Sequence, residues 1–288
     1  MRMCRMKGFV LAVTAAICAA ACSPQKKEAE EWQYLFDGTD LVGWETYLGA
    51  EFKPGLSWDS VRKLPPIGLN NDTASVFSIV ELDGERVLRI SGQYFGGIST
   101  KDEFENFHLQ LEFKWGEKKW FPREGDTDKR DSGVLYYAVG EHGDGDGFWL
   151  RAQELQIQEG DCGDYWGVAG ALADITSTLN ADSVYQFDMG GELRTFSRHS
   201  ESGRYCKKNP DGENAHGEWN VVDLYAYNGT SLHLINGKLN MMLKNSRIEN
   251  DGIETPLTKG RLELQSEAAE VFYRNIRIQP LTELPKIK

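Results

Sequence analysis

Short segments in which apolar and polar residues alternate recur along most of this chain, and they limit its fold to β-structure. In the clearest segment, two sets of residues lie on opposite sides: Phe107, Leu109, Leu111, Phe113 and Trp115 against His108, Gln110, Glu112 and Lys114. A period of two is typical of a strand with one face on a core. Turn dipeptides such as Asp83-Gly84 and Asn236-Gly237 connect further segments in the way of β-hairpins. No capped helical period occurs, so we predict an all-β protein, an antiparallel two-sheet sandwich or jelly roll.

The other predicted strands extend over nearly the whole chain, at residues 75–82, 86–91, 132–139, 149–158, 184–189, 193–196, 219–227, 231–235, 238–243, 261–265 and 270–278. Two long connections remain between them. Residues 50–72 contain three prolines and form a loop of a length that more often serves a function than a neutral connection. Residues 117–130 are charged and loop-like. Because no interior linker separates two cores, we predict one domain from residue 32 to residue 285.

The first residues of the chain have the pattern of a bacterial lipoprotein signal. A basic start is followed by an apolar run from Phe9 to Ile17 and by the small-residue site Ala19-Ala-Ala-Cys22. We expect cleavage of residues 1–21, acylation of Cys22, and anchoring of an exported protein to a lipid membrane of the bacterial cell envelope. Residues 22–31 are polar and would form a tether. The alternative is an ordinary signal peptide with an incidental cysteine.

Charge and cysteine content restrict the partners and the covalent structure. The formal net charge is −12 and no basic stripe occurs, so we expect no nucleic-acid partner. After removal of the signal and acylation of Cys22, only Cys162 and Cys206 keep their thiols. An exported compartment permits a disulfide between them, but two free cysteines are equally consistent with the sequence.

The segment Glu154–Asp164 has the most distinctive pattern of polar residues. Leu155 and Ile157 point to one side of a predicted strand, whereas Glu154, Gln156 and Gln158 point to the other. Such a strand can support a core with one face and form the floor of a cleft with the other. It continues into a turn that adds three carboxylates, from Glu159, Asp161 and Asp164.

Several separated blocks of the sequence together resemble the 3-keto-disaccharide hydrolase domain family. They are Leu35-Phe-Asp-Gly38, Leu41-Val-Gly-Trp44, Asp131-Ser-Gly133, Glu154-Leu-Gln-Ile157, Gly217-Glu-Trp-Asn220, Leu234-Ile-Asn-Gly237 and Phe272-Tyr-Arg-Asn-Ile-Arg-Ile278. The resemblance implies a concanavalin A-like sandwich, of the lectin and glucanase type, that is often secreted and lipid-anchored. It also implies action on glycosides whose sugar ring is oxidised at C3. In one departure, this chain has Asp131 where the family often has asparagine.

A ketone at C3 acidifies the hydrogen at C2, so a base can remove it while the substituent at C1 leaves. Water then adds to the enone, and the net result is hydrolysis. Such a site needs a base, a stabiliser of the enolate oxygen and an acid for the leaving group. We assign Glu154 as the base or a metal ligand, and Glu159 and Asp161 as acid or metal-ligand candidates. The alternatives are a solvated carboxylate at Glu154 and turn carboxylates at the other two positions.

Substrate contacts are predicted for residues on or near the same strand. Those with polar or charged side chains are Asp131, Lys114, Arg151, Gln156 and Gln158, and those that could stack on a sugar face are Tyr165 and Trp166. His142, in a loop with alternating carboxylates, is a weak candidate to bind a divalent cation together with Glu154. Each of these residues could instead be an ordinary strand, turn or core residue.

Two other functions remain open on the sequence alone. The same fold type hosts non-catalytic carbohydrate-binding modules, and a glycosidase acting on unoxidised sugars needs only two suitably spaced carboxyl groups. The chain has no Gly-x-Ser-x-Gly nucleophile motif, no His-Glu-x-x-His motif and no glycine-rich phosphate loop. A nicotinamide cofactor is therefore not expected, and a separate enzyme would have to oxidise the sugar.

Overall fold

The computed structural model describes Met1 and residues 31–286. The predicted signal peptide, most of the tether and the lipidation site Cys22 lie outside the described residues. From Glu31 onward the chain forms one unit. No helix in the described part of the chain is both long enough and apolar enough to cross a membrane.

The described residues form twenty-one strands and one short helix, α1 (Trp58–Val61). In chain order the strands are β1 (Gln33–Phe36), β2 (Trp44–Leu48), β3 (Gly68–Leu69), β4 (Phe77–Leu82), β5 (Glu85–Ile90), β6 (Gly96–Thr100), β7 (Phe104–Glu105), β8 (Phe107–Lys119), β9 (Asp131–Val139), β10 (Arg151–Gln158), β11 (Tyr165–Val168), β12 (Ala171–Leu179), β13 (Tyr185–Phe187), β14 (Glu192–Phe196), β15 (Tyr205–Cys206), β16 (Asn220–Tyr227), β17 (Thr230–Ile235), β18 (Lys238–Asn250), β19 (Ile253–Pro256), β20 (Lys259–Ser266) and β21 (Ala269–Pro280).

These strands form two antiparallel sheets. The first has twelve strands with the central order β13-β12-β18-β17-β16-β8-β21-β5-β4, and the second has nine with the order β15-β11-β10-β9-β20-β6-β2-β3. Strands far apart in sequence are neighbours, as where β20 pairs with both β9 and β6. The predicted all-β, two-sheet sandwich is therefore confirmed.

One apolar core joins the inner faces of the two sheets. Leu111 and Phe113 of β8 lie in the same cluster as Val134 of β9 and Leu155 and Ile157 of β10, and all are fully buried. Burial of each such side chain contributes about 1.5–3 kcal/mol. The alternation in β8 and β10 thus determines which face of each strand turns inward, and Glu154, Gln156 and Gln158 of β10 must face away from the core.

The alternation did not predict every strand. The segments 184–189 and 193–196 were expected to pair with each other, but β13 and β14 each pair with β12 instead. The alternation pattern did not predict β12. The sequence of β12 begins Ala-Leu-Ala-Asp, and that of β6 begins Gly-Gly. In both strands small side chains occupy buried positions. The contrast between large apolar and polar residues is therefore weak, and the period of two is not visible in the sequence.

A second, smaller cluster covers the outer face of the nine-stranded sheet. The ring of Trp58, from the long loop 50–72, packs edge-on against Phe95 and Phe148, with centroids 5.2 and 5.8 Å apart. Ser57 caps α1, since its Oγ accepts a hydrogen bond from the backbone N–H of Ser60 at 3.2 Å. This packing holds the loop beside the polar side of β10 and creates a cavity there.

Candidate active site

The cavity lies over the polar face of the nine-stranded sheet and has a volume of about 410 Å³. Its lining is rich in carboxylates, amides, guanidinium groups and indole rings, contributed by Trp58, Asp59, Arg62, Arg123, Asp131, Asp146, Trp149, Glu154, Gln156, Gln158, Trp166, Val168, Arg204, Gln265 and Glu267. A cavity that combines aromatic surface with a few convergent polar groups is the usual form of a small-molecule site.

Strand register explains how distant residues meet on the cavity floor. Glu154 lies opposite Trp166 of β11 on one side and Leu135 of β9 on the other. Two residues further along β10, Gln156 lies opposite Gly133, and after two more Gln158 lies opposite Asp131. Asp131 in turn pairs with Glu267, just after β20. Because side chains of alternate residues share a face, three strands place their polar side chains on one floor.

Asp131 is the centre of a buried hydrogen-bond cluster. Its carboxylate accepts hydrogen bonds from Nε2 of Gln156 at 2.9 Å, from Nε2 of Gln158 at 2.5 Å, and from the guanidinium of Arg123. The same guanidinium nitrogen of Arg123 donates to Glu267 at 2.7 Å. Burial raises the pKa of Asp131, and so does the charge of Glu267, while Arg123 opposes the rise. One cation thus bridges two buried carboxyl groups.

The carboxyl group of Glu154 is buried without a hydrogen-bond donor. The residue is only 5% exposed, and within residues 31–286 no group donates a hydrogen bond to its side chain. Burial raises the pKa of Glu154 well above its ordinary range, the charge of Glu267 adds to this, and Arg204 acts in the opposite direction. A carboxyl group whose pKa is raised holds its proton more readily than an ordinary carboxyl group and is a stronger base when ionised, which suits a general base or acid.

Two acceptors of β20 are unpaired: one, on Gln265 of the cavity lining, lies beside this carboxyl group, and the other is on Glu263, which does not line the cavity. Oε1 of Gln265 and Oε1 of Glu263 are buried and have no partner among the described residues. The other oxygen of Glu263 accepts a hydrogen bond from the backbone N–H of Leu150 at 3.3 Å, and burial raises the pKa of Glu263 to about 8. Unpaired buried acceptors are rare, so this part of the floor is specialised for polar contacts.

The walls of the cavity come from loops and from β11. The guanidinium of Arg204 lies over the ring of Trp166, 5.3 Å from its centroid, and Arg62 lies 5.8 Å from that of Trp58. Trp149 donates a hydrogen bond from Nε1 to the carbonyl of Gly96 at 2.9 Å, which fixes its ring although it also lines the cavity. Aromatic rings held in this way provide flat surfaces for the CH groups of a sugar.

Of the residues predicted from the sequence, five line this cavity: Asp131, Glu154, Gln156, Gln158 and Trp166. The two other carboxylate candidates lie outside it, in ion pairs. Glu159 is paired with Arg130 at 2.9 Å, and Asp161 with Lys129. Burial raises the pKa of Glu159, but the hydrogen bonds and charge of Arg130 outweigh burial, so the pKa is lowered overall.

Three predicted substrate-binding residues also lie elsewhere. Lys114 is on the twelve-stranded sheet and pairs with Asp83 at 3.1 Å. Arg151 donates to the backbone carbonyls of Ala169 and Glu249 at 2.8 and 2.7 Å, which identifies it as a structural residue beside the cavity. Tyr165 is fully buried and donates to Oε1 of Gln153 at 2.7 Å, so it belongs to the interior.

The predicted metal pair and the disulfide are not what the structure shows. His142 does not line the cavity; its Nε2 lies 3.2 Å from Arg261 and 3.6 Å from Glu45, and burial lowers the pKa of His142. Within residues 31–286 no group of three or more histidine, cysteine or acidic side chains is arranged to hold a metal ion. Cys162 and Cys206 are both buried and free. Cys162 lies in the turn between β10 and β11 and Cys206 lies on β15, and the two pack into different apolar clusters.

Several lining residues were missed in the sequence, and some of them carry a signal. Gln265 and Glu267 line the cavity and, together with Glu263, alternate with Leu262 and Leu264, which repeats the pattern of Glu154, Gln156 and Gln158. Because the predicted strand ended at residue 265, it left out Glu267, and the similarity of the two patterns was overlooked. Arg123, Arg204 and Asp146 come from loops and have no periodic signal, so only the fold brings them to the cavity.

Together, these features define a two-sheet β-sandwich with a concave site lined by carboxylates, amides, guanidinium groups and indole rings. The chain belongs to the family of 3-keto-alpha-glucoside-1,2-lyase-like domains, whose sequence model matches residues 31–279. The resemblance found in the sequence is therefore confirmed. A search of curated proteins gives no significant match.

Solved structures of similar overall shape include two from Parabacteroides distasonis described as candidate glycosyl hydrolases. One has 16% identity and a TM-score of 0.46 and covers 87% of this chain and 94% of its own. The other has 20% identity and a TM-score of 0.45 and covers 87% of this chain and 100% of its own. A carbohydrate-binding module from Bacillus subtilis has 9% identity and a TM-score of 0.38, covering 70% of this chain and 91% of its own. At these scores the likenesses carry no argument about activity.

Proposed function

We propose that this protein is an enzyme that cleaves the glycosidic bond of sugars oxidised to a ketone at C3. The observation that carries the proposal is the carboxyl group of Glu154, which is buried on the cavity floor without a hydrogen-bond donor among the described residues. Its pKa is raised by burial and by Glu267. Membership of a family of 3-keto-alpha-glucoside-1,2-lyase-like domains supports the choice of substrate class.

In the proposed reaction, ionised Glu154 removes the proton from C2 of the 3-keto sugar. The electron pair of that C–H bond forms an enolate, whose negative oxygen is at C3. The enolate then collapses, the C1–oxygen bond breaks, and the leaving oxygen takes up a proton. Water then adds to the resulting enone, with the hydroxyl bonding to C1 and the proton to C2. The product is the free 3-keto sugar, so the net reaction is hydrolysis.

The other groups of the cavity supply the charge and the second proton. Arg123 and Arg204 both line it, and positive charge placed where an enolate forms lowers the barrier. Asp131 and Glu267 are bridged by Arg123. Because burial and Glu267 raise the pKa of Asp131, this pair retains a proton more readily than an isolated carboxyl group. We propose that the pair donates this proton to the leaving oxygen when the C1–oxygen bond breaks.

The cavity also offers the contacts that a pyranose ring needs. Trp166 lies directly opposite Glu154 in the sheet, so a ring packed on this indole would have its C2 hydrogen near the carboxylate. Gln156 and Gln158 use Nε2 toward Asp131 and keep their carbonyl oxygens as acceptors for sugar hydroxyl groups. Orientation of this kind accounts for much of the rate gain in enzymes.

The test is release of the aglycone from a 3-keto glucoside, compared with the same glucoside before oxidation. We expect release only from the 3-keto compound, and proton–deuterium exchange at C2 when the reaction is run in deuterated water. Release from the unoxidised glucoside would favour an ordinary glycosidase. Binding without release from any 3-keto substrate would favour a carbohydrate-binding module and contradict the proposal.

We also propose that the protein is exported and held to the bacterial envelope by lipid on Cys22. The support is the sequence alone: the basic start, the apolar run and the site Ala19-Ala-Ala-Cys22. The test is incorporation of a labelled fatty acid into the wild-type protein and into Cys22→Ser. Label in the wild type alone is the expected result, and equal label in both proteins would contradict it.

A further inference from the structure

Three arginines surround one carboxylate at the edge of the candidate active site. Guanidinium nitrogens of Arg62, Arg198 and Arg204 lie 3.6, 3.7 and 3.4 Å from the carboxylate oxygens of Asp146. The arginines come from different parts of the chain: Arg62 follows α1, whereas Arg198 and Arg204 lie in the connection between β14 and β15. Only the fold therefore brings the three together.

Most of the hydrogen-bond donors in this cluster are unused. Among the residues that the structure describes, the guanidinium groups of Arg62 and Arg198 donate no hydrogen bond, and that of Arg204 makes a single long one to Asp146, at 3.4 Å. A guanidinium group has five N–H donors in a planar fork that matches an oxyanion. The cluster thus offers donors to a ligand at an exposed edge of the cavity.

The local charge is positive although the whole chain is strongly acidic, at −12. Three guanidinium groups face the one carboxylate of Asp146, so positive charge is in excess within the cluster. Two further acids act on it: Asp59 lies 3.7 Å from Arg62, but its side chain is 86% exposed and solvent screens it, and Glu154 interacts with Arg204 through its charge. Another acid near the cluster, Asp144, accepts a hydrogen bond from the backbone N–H of Glu141 at 2.8 Å.

The cluster lies between two cavities that share Arg62 and Asp146. The first is the candidate active site, and the second, of about 410 Å³, is lined by Arg198 and His199. Arg204 joins the cluster to the catalytic floor, because its guanidinium lies over Trp166, opposite Glu154. A ligand with one ring on Trp166 would extend from the first cavity toward the second past these arginines.

We propose that the Arg62, Arg198 and Arg204 cluster binds a negatively charged group, a carboxylate or a sulfate, on the sugar or aglycone attached to the oxidised ring. The inference rests on the proposed function, since it takes the ring over Glu154 to be the one that reacts. It adds that the natural substrates are acidic glycosides, such as those ending in a uronic acid or a sulfated unit. Charge-assisted contacts to planar oxyanions are the strongest that arginine makes.

The test measures binding in Glu154→Gln, which holds the ligand without turning it over. Three 3-keto glucosides are compared by calorimetry, with 4-carboxyphenyl, 4-sulfatophenyl and 4-carbamoylphenyl groups. We expect at least one anionic ligand to bind about tenfold more tightly than the neutral amide at low salt. Comparison of the 4-carboxyphenyl with the 4-sulfatophenyl ligand shows whether carboxylate or sulfate is preferred. The advantage should shrink as salt is raised.

Variants of the cluster separate this site from general effects on the fold. Adding Arg198→Gln, at a residue that lines only the second cavity, should reduce the preference for the anionic ligand and leave binding of the neutral amide within about twofold. Adding Arg62→Gln as well should abolish the preference. Arg86→Gln, on β5 and in neither cavity, is the matched control and should keep the preference. Thermal unfolding of each variant checks that it is folded.

The outcomes distinguish failure of the binding site from failure of the proposed function. Equal binding of anionic and neutral ligands, or a preference that survives loss of both arginines, would overturn the site even if the wild type releases the aglycone. A preference that depends on the arginines, without turnover of any 3-keto ligand by the wild type, would support the site and overturn the proposed chemistry. Absence of binding by all three ligands would overturn the site as well.

Discussion

Gly133 of β9 lies against Glu154 of β10, so closely that a Cβ atom at Gly133 would be 2.4 Å from Oε1 of Glu154. The same Cβ would also be 2.4 Å from Oε1 of Gln265. Real Cβ atoms do not approach oxygen this closely, so the absence of a side chain at Gly133 allows both polar groups to occupy the cavity floor. The third residue of the Asp131-Ser-Gly133 block therefore has a direct role in the shape of the site.

We expect Gly133→Ala to impair catalysis more than folding. Both groups that the new methyl would meet are ends of side chains, and the backbone at Gly133 does not have a positive φ. Glu154 and Gln265 would shift, and a displacement of this kind lowers kcat/KM by about 100-fold. Gly43→Ala, where nothing lies within 4 Å, is the matched control. Equal kcat/KM in the two variants would contradict the assigned role of Glu154.

Glu154→Gln removes the proposed base but keeps its size. We expect kcat with a 3-keto glucoside to fall by about 10²- to 10⁴-fold, while the free energy of unfolding does not decrease. In the wild type, the rate should rise with pH through the raised pKa of Glu154, because only the ionised form removes a proton. The acid limb of the pH–rate profile should therefore lie well above pH 4.5, the ordinary value for this carboxyl group.

Glu159→Gln is the contrasting variant on the same segment of chain. Glu159 lies outside the cavity and is paired with Arg130, so kcat/KM should stay within about threefold of the wild-type value. A large loss of activity in Glu159→Gln, together with normal activity in Glu154→Gln, would show that the structure assigns the wrong carboxylate.

Glu263 makes the protein less stable as the pH rises. Burial raises the pKa of Glu263 from 4.5 to about 8 in the folded state, so its contribution to stability is complete below the unfolded pKa and is lost as pH rises to about 8. The slope of this loss approaches about 1.4 kcal/mol per pH unit for one proton. Glu263→Gln should flatten the pH dependence of the free energy of unfolding between pH 5 and 8, measured by urea denaturation. An unchanged slope would contradict this assignment.

Arg123→Met should destabilise the protein at neutral pH. It leaves Asp131 and Glu267, which are both buried, without the cation that bridges them. Because Arg123 is partly exposed, we expect a loss of about 2 kcal/mol in the free energy of unfolding, less than for a fully buried ion pair. The loss should shrink in acid, where the two carboxyl groups are neutral. Lys53→Met, which breaks the exposed pair with Glu51, is the control and should have no measurable effect.

Cys162 and Cys206 should be inert in the folded protein. Burial raises the pKa of both thiols, so neither presents a thiolate to solvent. In a chain without residues 1–22, a thiol reagent should label no cysteine before unfolding and two after it. A reducing agent should leave the unfolding temperature unchanged. Failure to recover two thiols after unfolding would indicate that the disulfide forms after all.

The positions of most strands along the chain could be predicted, because each depends on a local pattern of apolar and polar residues. From Phe107 to Trp115 in β8, and at Leu155 and Ile157 in β10, large apolar residues alternate with polar ones, and this period indicates which side faces the core. In β12 and β6 the buried positions are filled by small residues, so hydrophobic contrast is lost and those strands were missed. Their burial depends on neighbours from distant parts of the chain.

The amino-acid sequence by itself determined the class of fold, the family, and the polar face of β10 with Glu154, Gln156 and Gln158. These follow from residue types and spacing, which local chain geometry converts directly into faces of a strand. Only the tertiary structure decided that Glu267, Arg123 and Arg204 join that face, and that Glu159, Asp161, Lys114 and Arg151 do not. The physical reason is that strand pairing and loop packing bring to Glu154 residues that lie between 31 and 113 positions away in the sequence (154 − 123 = 31, 267 − 154 = 113), and no local period records those contacts.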